Sequence, residues 1–414
     1  MTLTEISVPT GRKAGATQGW TLAGVNWLNT IGVTVLAPVL PKIAEYFKAD
    51  PHVAVMVSLM VTLPALFVAL CAWPAGLLAD RFGTRLVLLL GVGVYGFVGC
   101  APIIMNSLLG IVITRAGVGI AEAAIMTCTT ALVADYFHVS ERERWLAVQT
   151  GGSGIVLVAM VVLGGVLGQG NWRFPFVMYS TAFLMFPLCF FKIWEPVKHA
   201  GVPARHSGND QAPSHRAQPA AVKFNWGPLA VICLISVFAA MSIFVVMTQL
   251  GFILTERGVT DSGTIGMGCS IAVLFMPLGS YLFTLLKLPV AGKLTACFTL
   301  FATGFFVLAL SRGFIFTEVG ASIAGLGAGM VLPTLIMWAM AKLPIEVRAR
   351  GTGVWQSSMF LGQFLSPLAV LFLKNISGSE SNAVLIFAIA CTIAAAIAVT
   401  MCIRTGSQPL VEAE

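Results

Sequence analysis

The hydrophobic positions of this chain fall into twelve long apolar runs, each bounded by charged residues, glycine, proline or asparagine. A run of about 20 apolar residues crosses the hydrocarbon core of a bilayer as a helix, because a helix satisfies its own backbone polar groups. The runs predict transmembrane helices near residues 20–41, 54–77, 86–105, 108–131, 146–168, 174–194, 227–251, 264–286, 290–310, 314–340, 352–373 and 383–403. The pattern therefore predicts an all-α integral membrane protein.

One long polar stretch, residues 195–226, separates the first six runs from the last six. It is too poor in apolar residues to fold by itself. Halves of nearly equal length on either side of it indicate an internal duplication. We therefore expect an N-terminal tail (1–19), a six-helix bundle (20–194), a linker (195–226), a second six-helix bundle (227–403) and a C-terminal tail (404–414). The two bundles are expected to be related by a pseudo-two-fold axis.

Composition agrees with this assignment, since 57% of the 414 residues are hydrophobic and only 10% are charged. An ordinary soluble domain has about 25% charged residues. The nine cysteines lie inside apolar runs without metal-ligand spacing, and the five histidines lie outside the runs. We therefore predict neither a metal site nor a cofactor. The chain has no G-x-x-x-x-G-K-[ST] motif, which disfavours ATP-driven transport by this chain alone.

The basic residues predict the orientation of the chain in the membrane, because Lys and Arg accumulate in cytoplasmic loops. With the N-terminus inside, seventeen of the 24 Lys and Arg residues fall on the cytoplasmic side, six on the other side and one, Arg115, within a run. We expect a bacterial inner-membrane location with both termini and the linker in the cytoplasm. This asymmetry accounts for the net charge of +7 without a nucleic-acid partner.

The sharpest local motif joins the second and third runs and reads G-L-L-A-D-R-F-G-T-R, with Gly76, Asp80, Arg81, Gly83 and Arg85 at its defined positions. The second glycine permits a tight turn, and the aspartate can accept hydrogen bonds from a helix N-terminus. The arginines are either topology anchors or part of a hinge clamp between the helices.

This motif resembles the G-x-x-x-D-R-x-G-x-R signature of the major facilitator superfamily, and the 6+6 layout fits that family over almost the whole chain. The resemblance implies that the loop holds the two halves together in the outward-facing state, with Asp80, Arg81 and Arg85 as gating residues. The first run, with Gly32, Pro38 and Pro41, is similar to that of the drug:proton antiporter-like branch.

Two further stretches of the sequence concern the internal duplication and the resemblance to the drug:proton antiporter-like branch. Gly117 and Gly119, followed downstream by a charged run from Glu141, are echoed by Gly325 and Gly327, followed by a charged run from Glu346. In the fifth run, only Gly164 and Gly165 match the G-P-x-x-G-G element of the drug branch.

Arg115 is the most informative single residue, because a charge in hydrocarbon is costly unless it is paired or faces water. Glu122 lies two helical turns later on the same face. Either Arg115 extends to the outer interface and Glu122 bonds a neighbouring helix, or both face a central cavity. In the second case Arg115 is an anion or proton-coupling partner, and Glu122 takes up a proton. Resemblance to the family's R-x-x-x-G motif, matched by Arg115 and Gly119, implies proton coupling. Glu318 is expected to extend to the outer interface instead.

A few uncharged polar residues also lie inside the runs. Asn26 and Asn29 are one turn apart in the first run, and Gln356 and Gln363 are seven residues apart in the eleventh. Together with Gln249, they either line a cavity or form hydrogen bonds between helices.

These observations favour a secondary transporter that moves a small organic solute by alternating access, coupled to protons, with export preferred over import. A proton-coupled symporter that imports an organic acid through Arg115 is the alternative. A membrane enzyme would need clustered catalytic residues, and a sensor would need a further soluble domain; the sequence shows neither. The expected partners are the solute, protons and the lipid bilayer, and the expected state is a monomer.

Overall fold

A computed structural model describes residues 14–137, 139–196, 227–343 and 348–405 of the chain. Most of both predicted tails, nearly all of the predicted linker, His138 and Glu346 lie outside the described residues. Within them the chain forms α-helices and short 3₁₀ turns, and no strand occurs there.

The helices are α1 (Ala16–Thr34), α2 (Leu40–Tyr46), α3 (Val53–Phe82), α4 (Thr84–Cys100), α5 (Leu108–Tyr136), α6 (Val139–Gly170), α7 (Thr181–Lys192), α8 (Gly227–Glu256), α9 (Ser262–Leu285), α10 (Val290–Leu310), α11 (Phe314–Lys342), α12 (Arg348–Ser377) and α13 (Glu380–Thr405). Twelve segments of the described chain are long and apolar enough to cross a membrane, and they overlap the twelve predicted runs one for one. The all-α prediction with twelve spans is confirmed.

The ends of the spans show which residues stop a helix. The first span consists of α1, a 3₁₀ turn at Ala37–Val39 and α2, because Pro38 and Pro41 have no N–H to continue the α-helical ladder. The second span runs past its predicted end at residue 77 to Phe82. Charged residues do not end a helix, and α3 stops only at Gly83, whose φ of 98° favours glycine.

The buried apolar side chains form two clusters that correspond to the two halves of the chain. One contains residues from Leu22 to Ile193, and the other contains residues from Leu229 to Ala398. Among the described residues, Val161 of the first half packs into the second cluster and Phe252 of the second half packs against the first. Each half therefore has its own core, as a 6+6 arrangement requires.

Glycines let equivalent helices approach closely in both halves. A Cβ at Gly119 of α5 would lie 2.7 Å from the Pro64 Cα of α3, and one at Gly329 of α11 would lie 2.9 Å from the Met276 Cα of α9. Without a hydrophobic driving force in lipid, such close backbone packing is what holds membrane helices together.

The halves meet where α6 packs against α9 and α3 packs against α12. We call the contact of Gly165 and Gly168 in α6 with Ser262 and Gly266 in α9 the seam. A Cβ at Gly165 would lie 2.7 Å from the Ser262 carbonyl oxygen and 2.9 Å from the Gly266 Cα. Because spans alternate in direction, the seam lies at the end of the bundle opposite to the start of α1.

Toward the other end of the bundle, three glycines of α6 and α12 contact no other helix. Added Cβ atoms at Gly151 and Gly154 of α6, or at Gly353 of α12, would meet no atom within 4 Å. These residues lie in the parts of α6 and α12 nearest to the side on which α1 begins. The close glycine packing of the seam is therefore not repeated at these positions.

The glycine contacts can be tested by one substitution made at two sites. Gly119→Ala adds a methyl group against the Pro64 backbone, and such overpacking costs about 1–3 kcal/mol. Gly353→Ala adds the same group in open space, where alanine favours the helix by about 1 kcal/mol over glycine. In thermal unfolding of purified protein, we expect Gly119→Ala to lower the midpoint and Gly353→Ala to leave it unchanged or raise it. Equal effects at both sites would contradict this account of the packing.

Candidate functional site

A cavity of about 200 Å³ lies between the two halves, near the middle of the helices. Six helices contribute to its wall. Its lining residues are Asn29, Thr30, Thr34, Ala65, Val68, Glu122, Met126, Leu157, Phe244, Met247, Phe360 and Gln363. The wall is largely apolar, with two amides, two hydroxyls and one carboxyl group, and no Lys or Arg is among the lining residues.

Glu122 is the one acidic residue in this wall. It is 6% exposed, and its Oε1 is buried without a hydrogen-bond partner among the described residues. The carboxyl group lies against the Cα of Gly32 in α1, where an added Cβ would be 3.3 Å from the Glu122 Cδ. Glycine at position 32 thus leaves the space that the carboxyl group occupies. A carboxylate without a donor is costly to bury, so this group can take up a proton.

Arg115, in contrast, is completely buried and does not line the cavity. Its guanidinium donates to the Tyr179 hydroxyl at 2.8 Å, to the Gly99 carbonyl at 3.3 Å and to the Thr114 hydroxyl at 3.3 Å. It also lies over the rings of Phe176 and Tyr179, at 5.2 and 4.9 Å from their centroids. Arg115 therefore neither reaches the outer interface nor faces the cavity, and its proposed role in coupling stays a prediction.

Tyr179 connects the two charged residues indirectly. Its hydroxyl accepts from Arg115 and donates to the Gly32 carbonyl at 2.8 Å. The same glycine contacts Glu122, so the two charged residues are linked through Tyr179 and Gly32. The sequence pattern does not single out Tyr179, which is one of only five tyrosines and lies within an apolar run.

The predicted polar residues separate into different environments. Asn29 and Gln363 line the cavity, and Asn26 accepts a hydrogen bond from the Thr129 hydroxyl of α5 at 3.3 Å. Gln249 is 5% exposed within α8, and Gln356 is exposed on α12. Neither of these two is among the residues that line this cavity.

The predicted gating loop is built around the break between α3 and α4. Gly83 has the positive φ that the turn requires, and the Glu195 carboxylate accepts from the backbone N–H groups of Thr84 and Arg85 at 2.8 Å each. The Arg85 guanidinium donates to the Phe190 carbonyl at 2.7 Å. Glu195, the first residue of the predicted linker, thus caps α4, and the sequence motif gave no sign of it.

The other motif residues lie around this turn. Gly76 faces Thr127 of α5, 3.8 Å from an added Cβ to the threonine methyl group. Arg81 is exposed, with its guanidinium 5.3 Å from the centre of the Phe82 ring. Asp80 lies in the last turn of the same helix and also has an interaction partner. The gating role of these residues stays a prediction.

Glu318 does not extend to the outer interface, so that expectation is wrong. It is 7% exposed, and neither carboxyl oxygen has a hydrogen-bond partner among the described residues. The physical reason is Gly268 of α9, whose missing side chain leaves space for the carboxyl group, with 3.0 Å from an added Cβ to the Glu318 Cδ.

A polar contact joins the halves beside the seam. The Gln169 amide of the first half donates to the Asp261 carboxylate of the second half at 3.1 Å. Asp261 also accepts from the Thr264 backbone N–H and hydroxyl at 2.8 Å each, as the N-cap of α9. These hydrogen bonds, the backbone one first, hold the pKa of Asp261 below its ordinary value of 3.8.

Two helical halves around a central cavity that is closed at one end define a membrane transporter. A family model of the Major Facilitator Superfamily matches residues 22–367, and the chain belongs to this family. The resemblance seen in the Gly76–Arg85 motif is thereby confirmed. The fold and the relatives are those of transporters rather than enzymes.

Several proteins are similar to this chain. The tetracycline resistance protein, class H, of Pasteurella multocida is 26% identical over 281 residues, which are 64% of each chain. The class D protein of Salmonella ordonez is 25% identical over 363 residues, 84% of this chain and 87% of the relative. A bacterial homologue of the human lysosomal transporter Spinster, solved in an inward-facing, unoccupied conformation, superimposes with a TM-score of 0.74 at 16% identity. That superposition covers 94% of this chain and 96% of the other.

The hydroxyl of Tyr179 provides the first test of the site. Tyr179→Phe leaves the Arg115 guanidinium and the Gly32 carbonyl each without one partner, and unsatisfied buried groups cost about 1–3 kcal/mol. We expect a lower thermal unfolding midpoint for this variant. Tyr281→Phe, which alters a tyrosine that is 62% exposed, should leave the midpoint unchanged. Identical midpoints for the two variants would show that the hydroxyl does not hold this network.

The cap on α4 provides a second, local test. Glu195→Ala removes the acceptor for the Thr84 and Arg85 amides, and loss of a cap costs about 1 kcal/mol. Hydrogen–deuterium exchange should therefore become several-fold faster at the start of α4. Asp50→Ala is the matched control, because its carboxylate accepts from the His52 amide at 2.8 Å in another loop. Unchanged exchange at Thr84 and Arg85 in Glu195→Ala would rule out the cap.

Proposed function

We propose that this transporter exports an amphipathic organic solute in exchange for protons, with Glu122 as the residue that binds the proton. The observation that supports it is the single carboxyl group in the cavity wall, buried and without a partner. A solute and a proton that use the same carboxyl group compete for it, and such competition is a direct way to couple their opposed movements.

The shape of the bundle supports alternating access. The cavity lies between halves that touch at the seam, so rocking one half on the other would expose it to either side in turn. Each half has its own core and can move as a unit. We propose that both termini lie in the cytoplasm of a bacterium, as the basic residues indicate. The closed seam then faces outward.

The chemistry of the wall supports a neutral or cationic solute with an apolar body. Phe244, Phe360, Met126 and Met247 offer apolar and polarisable surface. The amides of Asn29 and Gln363 offer hydrogen bonds, and Glu122 offers a negative charge when it has released its proton. Two of the relatives are named tetracycline resistance proteins, which makes tetracycline a reasonable first compound to test.

The alternative, import of an organic acid bound by Arg115, has less support. Arg115 is fully buried and its guanidinium is engaged by Tyr179, Gly99 and Thr114. An acid in the cavity would meet Glu122 and no lining Lys or Arg. We therefore favour export, and we propose that a monomer is sufficient for it.

The experiment uses purified protein in liposomes that contain a pH-sensitive dye, with tetracycline and a panel of neutral, cationic and anionic compounds. We expect solute movement in one direction to drive proton movement in the other. Glu122→Gln should abolish this proton-coupled flux, because an amide cannot release a proton. Glu45→Gln should retain it, since Glu45 is an exposed residue of α2 paired with Lys48 at 2.6 Å.

Each outcome has a distinct meaning. Opposed fluxes that require Glu122 support the proposal. Fluxes in the same direction would indicate a symporter, and retained coupling in Glu122→Gln would remove Glu122 from the mechanism. The thermal unfolding midpoint of Glu122→Gln, compared with that of the wild type, separates lost coupling from lost folding.

A further inference from the structure

Glu318 is a second buried carboxyl group, and it lies in the other half of the molecule. It occupies the second turn of α11, and both carboxyl oxygens are buried without a hydrogen-bond partner among the described residues. Glu122 has one such oxygen; Glu318 has two. An ionised carboxylate in such a place would be uncompensated, whereas a protonated one would be tolerated.

The groups around Glu318 offer no compensating charge. On α9 its titratable neighbour is Cys269. At the end of α8, the Arg257 guanidinium is engaged by the Thr317 hydroxyl and the Leu308 carbonyl. Arg312, which follows α10, is exposed. Two further charged residues, near the ends of α12 and α8, bond to Glu380 of α13 rather than to Glu318. Lys374 pairs with the Glu380 carboxylate at 2.7 Å, and Glu256 accepts from the Glu380 backbone N–H at 2.9 Å.

Glu380 makes the contrast clear. It is as buried as Glu318, with 5% of its surface exposed against 7%. Its carboxylate, however, has Lys374 as a partner. Of these two buried acids at the same end of the second half, one is therefore held by a cation and the other is not.

Glu318 contacts α9, the helix of the second half that forms the seam. Its carboxyl group fills the space beside Gly268 of α9, and Gly266 of the same helix forms part of the seam with α6. The next residue, Cys269, lines a small cavity that shares Thr34 and Met247 with the main cavity. A change at Glu318 therefore acts on α9 between the seam and the transport cavity.

We propose that Glu318 is a second proton-binding site, in the C-terminal half, and that release of its proton loosens α9 from α11 and thereby weakens the seam. An ionised Glu318 needs water or a donor, and it can obtain either only if α9 moves away from the space beside Gly268. The inference rests on the proposed function only in saying what the proton is used for. Binding of the proton by Glu318 does not itself depend on transport.

The first measurement is infrared difference spectroscopy of the purified full-length protein in lipid nanodiscs, between neutral and alkaline buffer, without any solute. Protonated carboxyl groups have a carbonyl stretching band that disappears on ionisation. We expect Glu318→Gln to lack one such band of the wild type and Glu318→Asp to shift it. Glu256→Gln, which alters an exposed carboxylate at the same end of the bundle, should retain every band.

The second measurement is hydrogen–deuterium exchange across α9, with wild type and Glu318→Gln compared in the same alkaline buffer. We expect several-fold faster exchange in the wild type, because only its residue 318 can ionise there. A Glu318→Gln spectrum identical to that of the wild type would overturn proton binding at this site. Equal exchange in α9 would overturn its link to the seam.

These results are distinguishable from failure of the proposed function. Glu122→Gln should lack a different carboxyl band, and it leaves the Glu318 band in place. If the liposome experiment shows no coupling through Glu122 while the Glu318 band behaves as described, the proton site stands and the transport proposal fails. If Glu318→Gln lacks its band but leaves transport coupling unchanged, the Glu318 proton acts on the seam and is not itself transported.

Discussion

The membrane places one constraint on every polar group in this protein: it must find a partner inside the protein or carry no charge, because the hydrocarbon region supplies no water. Arg115 meets the constraint through partners, since Tyr179 and two other groups accept its hydrogen bonds. Glu122 and Glu318 have buried oxygens that lack such partners. A carboxyl group can still meet the constraint by binding a proton. Full pairing therefore marks Arg115 as part of the scaffold, whereas Glu122 and Glu318 are the acids for which we propose a proton as the missing partner.

Most of the fold could be predicted from the sequence because it depends on local signals. A span is decided by the composition of about 20 neighbouring residues, and the turn between α3 and α4 is decided by Gly83. The partners of the charged residues could not be predicted in this way. Tyr179 is 64 residues from Arg115, and Glu195 is 110 residues from Arg85. Helical spacing puts Arg115 and Glu122 on one face of α5, yet it does not indicate that Tyr179 covers the first while the second lines the cavity.

The two halves repeat their packing more faithfully than their chemistry. In both halves a glycine of the fourth span lies against a helix that contains proline. Gly119 of α5 contacts Pro64 of α3, and Gly329 of α11 contacts Met276, the residue before Pro277 in α9. The buried charges do not repeat, because Glu122 lies near the middle of α5 and Glu318 near the beginning of α11. Backbone contact must be retained in both halves for either to fold. Charge placement has no such requirement, so the halves are free to differ in their buried charged groups.

The hydrogen bonds of Asp261 fix how the contact beside the seam responds to pH. Asp261, which joins the halves through Gln169, has its pKa held below the ordinary value of 3.8 by hydrogen bonds. A lowered folded-state pKa adds stability that is complete above the ordinary value and is lost only as the pH falls through the folded value. This contact is therefore constant around neutral pH and cannot sense a physiological proton gradient. Any response of the closed end to protons must therefore come through another group, and this is the role that we propose for Glu318 of α11, which packs against α9.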